Sequence, residues 1–329
     1  MPETTVRIES CQYCRARMPA SELVACRVDG CSYRFCPTCI ERHTRNCAAC
    51  GELCIISHMQ HDEDDNRYCQ RCYRHTLTWE ANNPGFRNTA GSEVTGSNRC
   101  YGIELETSYS PKYRTLRNAT VFGAKFDGSI SGMEFISPIL QGDSGLQEIE
   151  AFCAHARRLG FNVDGDCGYH VHIDLRDTNS DQRSNIAYAY RLTYEVWASL
   201  VNEYRANDCN YCRAPEYSAS DLPVNGYDFD YWAEYSSRYS FINFASYRRH
   251  QTFEIRGYQG TLDARKIIAW VKAHVRFVDF VKDKTREEIY LLFGDTDNRT
   301  WANLRRVMGA DLARHYGRKR AARLSACNS

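Results

Sequence analysis

The chain has 329 residues, of which 43% are hydrophobic and 25% charged, an ordinary balance for a globular protein. Its formal net charge of +1 gives neither nucleic acid nor a membrane surface a bulk electrostatic attraction. No apolar run approaches the ~20 residues of a spanning helix, and the opening "MPETTVRIES" carries neither the charged nor the apolar region of a signal peptide. A reducing compartment, the cytoplasm, is therefore expected, with the 17 cysteines as metal thiolates rather than disulfides.

Eleven of those cysteines fall between Cys11 and Cys72, and six are scattered over the rest of the chain. This break predicts a zinc-stabilised domain over 1–80, a linker over 81–99 and a larger domain over 100–329. Four Cys-x-x-Cys pairs occur in the first territory: Cys11/Cys14, Cys36/Cys39, Cys47/Cys50 and Cys69/Cys72. Each pair can place two thiolates on one tetrahedral ion. With Cys26, Cys31, Cys54 and His43 the count reaches twelve ligands, enough for about three zinc ions at four apiece. The stretch "CSYRFCPTCI" followed by "CAAC" resembles a RING-like or treble-clef zinc finger. A cross-brace of that kind implies one ion on Cys11, Cys14, Cys36 and Cys39, and a second on Cys26, Cys31, Cys47 and Cys50. Cys54, Cys69 and Cys72 would then hold a third with His58 or His61. The competing partition joins Cys47/Cys50 to Cys69/Cys72 as a zinc ribbon and frees His43 for the middle site. Residues 1–80 carry ten Arg, no Lys and eleven Asp plus Glu, which lacks the basic footprint of a nucleic-acid binder. A structural role, or docking of a protein partner or substrate, is expected instead.

The stretch 81–99, "ANNPGFRNTAGSEVTGSNR", is rich in Asn, Gly, Ser and Thr and reads as a linker. Strands are then predicted at "YGIELETS", "GMEFISP", "GYHVHIDL", "FINFA" and "QTFEIRGY". Helices are predicted over 144–160, closed by Gly160, and over 181–204, 263–283 and 298–317. Strands and helices mixed, with hairpin-like strand pairs, predict an α+β sheet domain. Cys209 and Cys212 form a fifth pair with no second pair nearby, and read as two reduced thiols in a loop. The irregular, Tyr- and Asp-rich stretch 206–239 could cover a substrate.

Charged groups recur two apart on these strands, so they share a face. Glu104 and Glu106 alternate with Ile103 and Leu105; His170 and His172 alternate with Val171 and Ile173; Glu254 and Arg256 repeat the pattern. "KFDGSISGMEF" adds Asp127 and Glu134. Like charges on one sheet face repel unless cations neutralise them. Hard carboxylate oxygens suit magnesium or manganese, and an arginine beside a glutamate suits a phosphate oxygen.

Four ordered motifs, "YGIELE", "FDGSISGMEFISP", "CGYHVHIDL" and "FINFASYRRHQTFEIRGYQGTLD", resemble the amidoligase family over roughly 100–284. That family is similar in its catalytic fold to glutamine synthetase and γ-glutamylcysteine ligase, which implies an antiparallel sheet with packed helices. The resemblance implies ATP-dependent joining of a carboxylate to an amine, on a small molecule, peptide or protein. It implies magnesium on Glu104, Glu106, Glu134 and Glu254, metal or phosphate contact at His172 with His170 in support, and phosphate held by Arg256. Lys125 and Arg238 are implied on the nucleotide, and Arg248 or Arg249 on transition-state charge. Asp127 or a glutamate is the expected general base. Two other readings stand beside this one: a zinc-finger adaptor whose second domain only binds, and a zinc hydrolase using His170 and His172.

Overall fold

The computed structural model describes residues 7–28, 31–48, 51–61, 67–69, 96–125, 130, 132–223 and 229–327. Contacts divide the chain into two units, Met1–Pro84 with Lys125–Ser131, and Gly85–Ala124 with Gly132–Ser329. Of the expected linker, only residues 96–99 fall within the described residues.

The first unit is built from short hairpins. Strands β1 (Ile8–Ser10) and β2 (Arg17–Pro19) pair antiparallel, as do β3 (Val24–Val28) and β4 (Cys31–Phe35). Helix α1 (Pro37–His43) follows directly, with Cys36 at its N-cap and Pro37 at the first helical position, where proline's fixed φ suits the turn. Strand β5 (Thr44–Asn46) pairs with β6 (Leu53–Ile55), and β7 (Gln60–His61) with β8 (Arg67–Tyr68). Two small apolar clusters hold these pieces. One gathers Leu23, Val28, Phe35 and Ile55 around Cys11, Cys36 and Cys39; the other gathers Met59 and Tyr68 around Cys47, Cys54 and Cys69. Cores this small supply little folding energy, so thiolates at their centre point to metal as the staple.

The second unit is organised by a six-stranded sheet in the order β10-β11-β9-β12-β14-β13. The strands are β9 (Tyr101–Ser108), β10 (Gly123–Lys125), β11 (Gly132–Ile136), β12 (Gly168–Asp174), β13 (Ile242–Asn243) and β14 (Thr252–Gln259). The pairings of β11 with β9, β9 with β12, β12 with β14 and β14 with β13 are all antiparallel. Helices α2 (Tyr113–Asn118), α3 (Gly142–Leu159), α4 (Ser180–Ala198), α5 (Phe229–Glu234), α6 (Tyr247–His250), α7 (Ala264–Val281), α8 (Arg286–Phe293), α9 (Asp297–Met308) and α10 (Ala310–Cys327) complete it. Each strand sends its apolar set to one face: Ile103 and Leu105, Met133 and Phe135, Tyr169, Val171 and Ile173, Phe253 and Ile255 are all at most 1% exposed. Phe152 of α3 packs tilted against Phe135, and Tyr169 donates a hydrogen bond to the Ile267 carbonyl of α7. An aromatic core of Trp197, Trp270, Tyr190 and Phe277 surrounds the buried His274, whose pKa burial drives well below the ordinary value.

Three sequence expectations needed correction. The helix expected to run to residue 204 ends at Ala198, and a π-helical turn, Tyr204–Asp208, follows after a break. The helix expected over 298–317 is two, because Gly309 takes φ +87°, a conformation only glycine adopts cheaply. The strand expected over 241–245 is two residues long, Ile242–Asn243. Helix α8 was not foreseen; Thr285 caps it in a reciprocal box with Glu288.

Candidate active site and metal centres

In the first unit, Cys11, Cys14, Cys36 and Cys39 bring one sulfur each to within 4.8 Å of one another. The first pair comes from a tight turn in which Arg15 donates to the Cys11 carbonyl with φ +62°, and the second from the first turn of α1. A knuckle, a hairpin and a helix start are the parts of a treble clef. The Cys36 amide donates to Cys11 Sγ at 3.3 Å. Burial raises the Cys11 pKa, but the Cys36, Cys14 and Tyr13 backbone bonds outweigh it and bring it down to about 6; Cys39 is pushed the other way. Four thiols, one already inclined to ionise, suit tetrahedral zinc. His43 stacks on Tyr13 with ring centroids 4.5 Å apart.

The other described cysteines fall into two packing groups. Cys26 packs with the Cys11 cluster, whereas Cys47 packs with Cys54 and Cys69. The Cys69 amide donates to Cys47 Sγ at 3.3 Å, the same contact seen between Cys36 and Cys11. Cys47 and Cys69 belong to two different Cys-x-x-Cys pairs. Cys54 turns its thiol to the Glu52 carbonyl. Cys50 and Cys72 lie outside the described residues, as does the Cys31 side chain.

The charged face of the sheet brings most of the remaining predicted residues together. Register sets Glu106 opposite Glu134, His170 opposite Glu104, and His172 opposite Glu254. His170 Nδ1 lies 3.2 Å from Glu104 Oε2 and 3.2 Å from Glu254 Oε1, and its Nε2 lies 3.7 Å from Glu106. His172 Nε2 lies 3.3 Å from Glu104 Oε1, while its Nδ1 meets the Thr252 hydroxyl at 3.0 Å. Arg256 Nη1 donates to Glu254 Oε1 at 2.5 Å. Burial raises the Glu254 pKa, and Arg256, His170 and His172 more than reverse it, so it stays below the ordinary carboxylate value. Burial lowers His172, and Glu104 and Glu254 reverse that, so it is raised.

The two histidines do not share a ligand set. Glu104, Glu134 and His170 form one group within 4.8 Å; Glu104, His172 and Glu254 form another. Each is oxygen-rich with one imidazole, and Glu104 belongs to both. Such donors fit a hard divalent cation, magnesium or manganese, better than a zinc hydrolase centre built on the histidine pair.

Three contributors were missed in the sequence. Arg205, on the π-helical turn, is 3% exposed. A Cβ placed on Gly168 would meet Arg205 Nη2 at 2.9 Å, His170 Nε2 at 3.0 Å and Glu106 Oε2 at 3.2 Å, so a glycine leaves room for all three groups. The Gly168 amide also donates to Glu106 Oε2, and Arg205 donates to the Arg256 carbonyl. Nothing in "NEYRANDC" singles out that arginine, because a turn rather than a strand period places it. Asn243 donates to Glu254 Oε2 at 2.8 Å; a lone Asn within "FINFA" was a signal available to reading.

Two other predicted arginines pair with groups outside this set. Arg248 is 66% exposed in its side chain and pairs with Glu234. Arg238 lies over the Tyr239 ring, 5.3 Å from its centroid. Lys125 stands on the edge strand β10. Asp127 and the Arg249 side chain lie outside the described residues.

These features meet a family signature. The family model described as "Putative amidoligase enzyme" matches residues 86–278. The chain belongs to this amidoligase family, and its activity is of the ligase type. A solved structure titled "Crystal structure of novel glutamine synthase homolog" aligns at 13% identity and a TM-score of 0.30, over 86% of this chain and 76% of that one. No curated protein matches the chain. Among the described residues, no helix is long and apolar enough to cross a membrane.

Proposed function

We propose that the protein is an ATP-dependent carboxylate–amine ligase that makes an amide through an acyl phosphate. The observation that carries this reading is the convergence of Glu104, Glu106, Glu134, His170, His172, Glu254 and Arg256 on one sheet face in a member of the amidoligase family. A carboxylate is a poor acyl donor, because its leaving group would be oxide. Its oxygen attacks the γ-phosphorus of ATP, and ADP departs. The amine then adds to the acyl carbon, and inorganic phosphate leaves with the former carboxylate oxygen.

The residues divide the work between metal and phosphate. Glu104 with Glu134 and His170, and Glu104 with Glu254 and His172, would hold divalent cations, which neutralise phosphate charge and align the oxygens for in-line transfer. Arg256 and Arg205 are buried cations on the same side, and Arg205 Nε makes no hydrogen bond among the described residues. Both donate where charge grows during transfer, which is where a fixed donor lowers a barrier most. Asn243 and Thr252 fix the orientation of Glu254 and His172. Asp127 or a face glutamate takes the proton of the incoming ammonium. The cysteine-rich unit, over about residues 1–80, holds zinc for its own fold and docks a partner or a peptide or protein substrate.

The decisive experiment incubates the purified chain with magnesium, ATP and pooled carboxylates and amines, then searches by mass spectrometry for condensation products. A product that requires ATP, with stoichiometric ADP and phosphate, is expected. Amide formation without ATP, or ATP hydrolysis with no product in any pool, would oppose the reading.

A further inference from the structure

The fifth cysteine pair sits beside the face that Arg256 serves. Cys209 and Cys212 are 3% and 1% exposed. The Cys212 amide donates to the Cys209 carbonyl at 3.3 Å, closing a turn that holds the two cysteines together. Turn ends of this kind lie within ~7 Å, inside the span a disulfide can bridge. The turn is also wired to the arginines. Arg256 Nε donates to the Tyr211 carbonyl at 3.0 Å, and Cys212 Sγ donates to the Arg205 carbonyl at 3.2 Å. Tyr211 is 43% exposed and Asn210 is exposed, so the sulfurs lie just beneath the surface.

The thiols of this unit are unlike one another. Burial pushes Cys153 and Cys167 up to about 12 and raises Cys100. Cys209 goes the other way, to about 5, because the neighbouring Cys212 and the positive charge of Arg205 favour its thiolate against the effect of burial. A thiolate with a neighbouring thiol held in a turn is the arrangement for thiol–disulfide exchange.

We propose that Cys209 and Cys212 form a reversible disulfide with low-molecular-weight disulfides as oxidant, and that its formation loosens the Tyr211 and Arg205 carbonyls that hold Arg256 and receive Cys212. The Cys209 thiolate attacks one sulfur of R–S–S–R, and that bond breaks to release RS⁻. Cys212 then attacks Cys209 sulfur in the mixed disulfide and expels the second RS⁻, which takes the Cys212 proton. The first RS⁻ regains the proton that Cys209 shed on ionising, so the sum is two cysteine thiols and one R–S–S–R giving one protein disulfide and two RSH. Oxidation removes the Cys212 S–H bond to Arg205 and draws the sulfurs to ~2.05 Å, which strains the turn carrying Tyr211. Only the consequence for phosphate handling rests on the ligase reading.

The test equilibrates the zinc-loaded full chain with mixtures of oxidised and reduced glutathione, alkylates free thiols, and maps peptides by mass spectrometry. An internal Cys209–Cys212 disulfide reversed by reduced glutathione is expected. A stable glutathione adduct, or free thiols at every ratio, overturns the proposal. Hydrogen exchange reads the coupling: amides of 252–259 should exchange about tenfold faster in the oxidised chain, the scale of one lost hydrogen bond. The Cys212→Ser chain should show no change on oxidation. Equal exchange in oxidised and reduced chains overturns the coupling. Calorimetric titration of the reduced chain with magnesium and ATP tests the ligase reading separately, since thiol mapping does not depend on nucleotide.

Discussion

The two units offer metal ions opposite donor chemistry. The first gathers four soft thiols, Cys11, Cys14, Cys36 and Cys39, at the centre of an apolar cluster of a few side chains. The second has an extensive aromatic and aliphatic core on one face of its sheet and displays oxygen and imidazole donors on the other. The difference teaches which unit depends on metal to fold. In the thiol unit, removing the ion removes the structure's centre. In the sheet unit the fold stands on its core, and Arg205, Arg256, His170 and His172 face the glutamates. The cations that those carboxylates need thus include the chain's own Arg256 and Arg205.

The largest effect should come from breaking the thiol side. Cys39→Ser, or chelation of zinc, should unfold the first unit, since structural zinc binding is worth ~10–16 kcal/mol in small zinc domains. Metal analysis and limited proteolysis should show one zinc lost per chain for the variant, with residues 7–69 cleaved and the sheet unit intact. Survival of the first unit without zinc would erase the contrast.

Next comes the core of the other unit. Trp270 is fully buried against Trp197, Tyr258, His274 and Tyr316. Trp270→Ala should cost ~3–5 kcal/mol in denaturant unfolding of the sheet unit, while zinc content stays at the wild-type value.

A smaller effect on free energy, though a severe one on activity, should follow at the charged face. Glu104→Gln and Arg256→Ala should each lower turnover ~10²-fold or more, measured as ADP release with the identified substrates, with the melting of the sheet unit little changed for Glu104→Gln. Wild-type turnover in either would remove that residue from the site.

The smallest effect is pH-dependent. Glu254 lies below its ordinary 4.5 in the fold, so its contribution is present above pH 4.5 and is lost as acid takes the pH through the folded value. His172 lies above its ordinary 6.5, so its contribution is full below pH 6.5 and fades as pH rises through the folded value. In magnesium-free buffer the sheet unit should therefore melt highest between about pH 4.5 and 6.5, as far as these two groups decide it. His172→Gln should flatten the alkaline side, and an unchanged slope there would assign it to other groups.

Local periodicity was enough for much of this. A strand sends alternate residues to one face, so "YGIELE", "CGYHVHIDL" and "TFEIRGY" announced their charged pairs without any tertiary knowledge, and helix α3 announced its end through Gly160. Cys-x-x-Cys spacing likewise announced the Cys11, Cys14, Cys36 and Cys39 cluster, because two thiols three residues apart can reach one ion. What the sequence could not decide was which strands are neighbours. Strand order sets Glu104 between Glu134, His170 and His172, and so divides the histidines between two ligand sets rather than one. Nor did pattern reveal Arg205, the pairing of Arg248 with Glu234 or the neighbour of Cys47. Arg205 arrives from an irregular π-helical turn, Arg248 is drawn away by Glu234, and Cys47 meets Cys69 from a separate hairpin. Contacts made across loops leave no period along the chain, so only the packing of the folded units decides them.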